Sequence, residues 1–144
     1  MLSSSISTQL VEQARARGMR LRPPVGGFPY LAESLRQAGI HTVHCDVAPM
    51  STIYRTANGA VIDQQEPLVR GLDPVAVFDV DAVVGAIRRD QRGESTYAEF
   101  MADIWTAGVV SYDIDLLART CTYCGVDATD VYVEDYPPVA LAAV

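Results

Sequence analysis

Residues 69 positions apart in this chain repeat one another. Ala38-Gly39 aligns with Ala107-Gly108, Asp46 with Asp115 and Tyr54 with Tyr123. Leu31 and Leu35 meet Phe100 and Ile104, Thr42 meets Ser111, and Val47 meets Leu116. A slip of one residue would turn a strand over, so the matched facing carries more weight than the few identities. The pattern predicts an α+β fold: two pseudo-symmetric helix-helix-strand-strand-strand repeats, about 1–72 and 73–144, within one 144-residue domain. Such units pair into an antiparallel sheet with helices on one face, related by a pseudo-twofold axis.

Local signals place the elements. Ile6, Leu10, Val11 and Ala14 recur at helical spacing from Ser5 to Arg17, with Gly18 as the expected stop. A second helix fits Pro29 to Ala38, with Pro29 in the first turn and Leu31, Leu35 and Ala38 on its stripe. Ile40–Val47, Ser51–Thr56 and Ala60–Asp63 alternate as strands, and Asn58-Gly59 predicts a type I′ hairpin with positive φ at both residues. Residues 64–78 read as irregular. A third helix starts near Asp79 and ends in Arg88 and Arg89, whose charge suits a helix C-terminus. Thr96-Tyr-Ala-Glu99 is a capping box opening a helix with Tyr97, Phe100, Met101, Ile104 and Trp105 on one stripe, and Gly108 stops it. Val109–Leu116, Thr120–Cys124 and Asp130–Glu134 complete the strands.

Composition narrows the chemistry. All eleven basic residues are Arg, which removes a Schiff-base or P-loop lysine. The formal net charge of −7 opposes nucleic acid and anionic membranes, so neither is an expected partner. The first residues lack a basic run followed by a long apolar core, and no apolar stretch reaches the ~18 residues of a membrane span. With three Cys and no disulfide framework, a cytoplasmic location is expected. Edge strands left open by a six-stranded sheet make a homodimer an expectation too.

Gly93-Glu-Ser-Thr-Tyr-Ala-Glu-Phe100, Ala107-Gly-Val-Val-Ser-Tyr-Asp-Ile-Asp115, Thr120-Cys-Thr-Tyr-Cys124 and Val133-Glu134 resemble the bacterial family called domain of unknown function 1398. Phe28-Pro-Tyr30 through Asn58-Gly59-Ala-Val-Ile62 resembles it as well, so the likeness spans nearly the whole chain. Members often carry the automatic label "phage envelope protein". The chain departs from the pattern in lacking Lys, in Cys124 where an aromatic residue is expected, and in a longer link after position 63. The resemblance implies a small cytoplasmic α+β protein and no activity, cofactor or catalytic residue.

Strand alternation sorts the side chains. Val43, Cys45, Val47, Tyr112, Ile114 and Leu116 should pack on helices, leaving Ile40, Thr42, His44, Asp46, Ser111, Asp113 and Asp115 opposite. On that polar face His44 suits a proton carrier, with Asp46, Asp113 and Asp115 as orienting or acidic partners. Tyr54 and Tyr123 would add hydroxyl donors. Equally, an antiparallel sheet commonly leaves one face wet, and alternation alone predicts polar residues there.

Cys121 and Cys124 would point to opposite faces of a strand, and with no second pair a four-cysteine zinc site does not form within one chain. His41 and Cys45, on the apolar face, could join Cys121 as ligands, but a free Cys is most often a small core hydrophobe. Arg15, Arg17, Arg20 and Arg22 run into Pro23-Pro-Val-Gly-Gly27; they read either as an anion-binding loop or as a solvated helix end. Two functions remain open. One is a small-molecule binder or cofactor-free acid–base enzyme of lyase or isomerase type, with its site on the polar face between repeats. The other is a non-catalytic interaction or assembly module.

Overall fold

The computed structural model describes residues 2–141, with side chains from Thr8 onward. The order is α1 (Leu2–Leu21), α2 (Phe28–Gln37), β1 (Ile40–Asp46), β2 (Ser51–Thr56) and β3 (Gly59–Gln64), then α3 (Val80–Gln91), α4 (Tyr97–Thr106), β4 (Ser111–Asp115), β5 (Thr120–Cys124) and β6 (Val131–Asp135). The strands form one sheet, β3-β2-β1-β4-β5-β6, with every neighbour antiparallel. The two halves therefore meet where β1 pairs with β4.

The repeat is visible in the backbone. Gly39 and Gly108, each just past a second helix, share φ 93. Met50 and Arg119 close the β1–β2 and β4–β5 connections and are the only two non-glycine residues with positive φ among those described, at 54 and 59. Hydrogen bonds match too: Val47 N–H donates to the Val110 carbonyl and Leu116 N–H to that of His41, at 3.0 and 2.9 Å. The first helix of each half is tied to its edge strand by an Arg–carboxylate pair, Arg15 with Asp63 and Arg88 with Glu134. Asp63 faces Thr52 and Glu134 faces Cys121, so the two carboxylates occupy equivalent places.

Helices cover one face of the sheet. Val43, Cys45, Val47, Tyr112, Ile114 and Leu116 are buried there with Met101, Ile104, Val83 and Leu35 from the helices. Burial of this apolar surface is the main stabilising term. Asp79 caps α3 by accepting from the Ala82 N–H, and both halves of the Thr96–Glu99 capping box form on α4.

Four local expectations are corrected. Helix α1 does not stop at Gly18 but continues to Leu21. A Cβ at Gly18 would lie 2.7 Å from Leu31 Cα, so this glycine lets α1 and α2 cross closely. On the α1 stripe Val11 and Ala14 are buried, Leu10 is exposed, and the Ile6 side chain lies outside those described. Ile40 is buried in the core rather than on the polar face, because a register shift between Ile40 and Thr42 breaks the alternation. The β2–β3 hairpin turns on Ala57 and Asn58, neither with positive φ, so it is not the type I′ turn at Asn58-Gly59.

Candidate functional site

The face without helices carries the ionisable groups. Its central row runs Ile62, Ile53, His44, Asp113, Thr122 and Val133 across all six strands. His44 and Asp113 are direct partners in the β1–β4 ladder. His44 Nδ1 lies 2.7 Å from Asp113 Oδ1, and Nε2 lies 3.0 Å from Asp46 Oδ1, two residues along β1. Ionised carboxylates only accept, so satisfying both contacts requires an N–H on each ring nitrogen, which is the imidazolium. Partial burial pulls the His44 pKa down, but the hydrogen bonds and charges of Asp113 and Asp46 outweigh it. The net position is above the ordinary histidine value.

Of the other expected site residues, Asp115 sits on this face, but its Oδ1 accepts from the Leu117 and Ala118 N–H groups at 3.0 and 2.9 Å. It stabilises the β4–β5 turn, unlike its repeat image Asp46. Tyr54 and Tyr123 are not on this face. They oppose Val43 and Tyr112 in the ladders and are 7% exposed beneath the helices. Burial raises both phenol pKa values. Arg20 and Arg22 belong to the helix layer, at the end of α1 and one residue beyond it. The basic run is dispersed: Arg15 pairs with Asp63, and Arg17 donates to Gln37.

Sequence reasoning left Cys124 and Ile53 out of the site. Cys124 pairs with Ser111 on the open face, and burial first and the Asp113 charge second raise its pKa. Carrying the strand period across the ladder would have found both residues. Cys45 and Cys121 are core thiols, with Cys45 Sγ 3.8 Å from the Tyr97 hydroxyl, which itself lies 2.9 Å from that of Tyr112. His41 lies at the bulge, and no group of three His, Cys, Asp or Glu among the described residues is arranged to hold a metal ion.

Two surface cavities lie elsewhere. One, of about 330 Å³, is between α3 and α4 beside Arg89 and Asp103. The other, of about 260 Å³, is between residues 75–78 and the β5–β6 turn. No helix among the described residues is long and apolar enough to cross a membrane.

Fold and site together define an α+β protein with a twofold-repeated sheet whose uncovered face centres on a carboxylate-clasped histidine. The chain belongs to the protein family of unknown function DUF1398, whose model matches residues 25–135. Similar proteins include uncharacterized protein Rv2012 of Mycobacterium tuberculosis and uncharacterized protein Mb2035 of Mycobacterium bovis. Each is 43% identical over 129 residues, covering 90% of this chain and 78% of the relative.

Proposed function

We propose that the chain is a non-catalytic small-molecule-binding protein whose site is the open sheet face around His44, Asp46 and Asp113. One observation carries this reading: both ring nitrogens of His44 are bonded to carboxylates. A general base needs a free ring lone pair at the reacting atom. Here the ring instead orients the two carboxylates, about half-exposed, toward a ligand. The ligand chemistry that fits is a cationic or hydrogen-bond-donating group over Asp46 and Asp113, with an apolar portion over Ile53 and Ile62 or over Val133.

A thermal-shift screen against small amines and other metabolites tests it, because a ligand of the folded state raises apparent stability. The expected hits stabilise the wild type and lose their effect in Asp113→Asn and Asp46→Asn, whose circular dichroism stays native. Compounds that act equally on both variants would refute the assignment.

A second reading, an assembly module, has its own support: Ile62 and Val133 are 69% and 53% exposed on the same face. In that case Ile62→Asp changes the sedimentation coefficient of the wild-type oligomer, and the metabolite screen yields no Asp113-dependent hit.

A further inference from the structure

The irregular link between the halves is not a slack loop. Asp79 N–H donates to the Ala107 carbonyl at 2.9 Å, and Trp105 Nε1 donates to Asp73 Oδ2 at 2.8 Å. A Cβ at Gly108 would lie 2.6 Å from Phe78 Cα, so the segment packs directly on the turn between α4 and β4. Held this way, it turns apolar side chains outward: Leu72 is 95% exposed and Val77 89%. Val126, across the second cavity in the β5–β6 turn, is also exposed.

Two features indicate what covers this patch. Among the described residues, the backbone of residues 75–78 makes no hydrogen bond to another backbone group; Ala76 O and Phe78 N face Gly108, and the other N–H and C=O groups have no backbone partner. The charged residues lining the cavity are Asp127 and Asp130, and Asp79 and Asp81 follow at the start of α3. Acidic residues beside an apolar patch with unpaired backbone groups complement an extended apolar segment carrying basic residues, and would repel an acidic one.

We propose that the groove between residues 75–78 and the β5–β6 turn docks an extended apolar segment of a partner protein flanked by basic residues. The surface is separate from the His44 face, so its failure would leave the proposed function standing.

Trp105 is the single tryptophan and is bonded to this segment, so its fluorescence reports occupancy. The probes are capped, tryptophan-free peptides, Arg-Val-Thr-Val-Arg and the control Glu-Val-Thr-Val-Glu. The first is expected to bind saturably, at least about tenfold more tightly than the second, and less well at high salt. Val77→Ser and Asp127→Asn should each weaken it with melting temperatures near wild type; Val126→Ser replaces Val77→Ser if that variant fails to fold. Absence of binding, equal binding of the two peptides, or affinity unchanged in the variants overturns the proposal. Self-association of the free protein that Val77→Ser abolishes would also overturn it, by making a second copy the occupant.

Discussion

His44 and Asp113 are repeat images of one another, 69 residues apart, and they also face each other in the β1–β4 ladder with 2.7 Å between Nδ1 and Oδ1. In antiparallel strands related by a constant offset, only one pair can meet both conditions: the pair on the pseudo-twofold axis. Exact symmetry would place identical residues there, and two like charges directly opposite would destabilise the ladder. The chain breaks its repeat at that point and sets a cation against an anion.

That pairing fixes the sign of a pH effect. A histidine whose folded pKa is raised contributes stability that is fully present below its unfolded pKa and is lost as pH rises through the folded one. The stability difference between wild type and His44→Gln should thus be largest below about pH 6.5 and shrink above it. A proton-resonance titration of His44 should give a midpoint above that of free histidine, and Asp113→Asn should lower it. An unchanged midpoint in Asp113→Asn would contradict the clasp.

Gly18→Ala is expected to destabilise the chain by roughly 1–3 kcal/mol, the usual cost of overpacking, because its methyl would strike the α2 backbone at Leu31. Alanine is otherwise the better helix former, so an ordinary mid-helix site would gain stability. Urea denaturation distinguishes the two outcomes.

Met101 and Ile104 of α4 are fully buried against the sheet. Truncating either to Ala should cost about 2–5 kcal/mol, through lost burial and the cavity left behind. Chemical denaturation with an unchanged m-value checks the figure.

The two Arg–carboxylate pairs at the sheet edges should differ in effect. Glu134 is more enclosed than Asp63, and its Oε2 is buried without a hydrogen-bond partner among the described residues. Removing Arg88 leaves that carboxylate without its guanidinium, whereas the Asp63 carboxylate reaches water. Arg88→Ala should therefore lower the melting temperature more than Arg15→Ala.

Thiol labelling should separate the cysteines. Cys124 lies partly buried on the open face, while Cys45 and Cys121 are buried, and burial first and the Glu134 charge second push Cys121 up to about 12. In the folded protein at neutral pH, Cys124 should react first, and the other two should become reactive on unfolding.

Much of this architecture follows from short-range rules. The Thr96 capping box, the Asp79 cap and the alternation that buries Val43 and Cys45 while uncovering His44 all act over a few residues. A helix cap or strand face is decided by neighbours within a turn or two, so it is written locally. What needed the folded chain was every relation between distant residues. Only the β1–β4 register brings Asp113 onto the His44 ring, and only the crossing of α1 and α2 gives Gly18 its role. Tyr54 and Tyr123 could face either way by composition; the phenols lie under the helices because the ladders set them directly opposite Val43 and Tyr112, which face inward. Asp46 and Asp115 are identical in type and place along their strands, yet one meets a histidine and the other a turn, because different partners lie within hydrogen-bond reach once the sheet has closed.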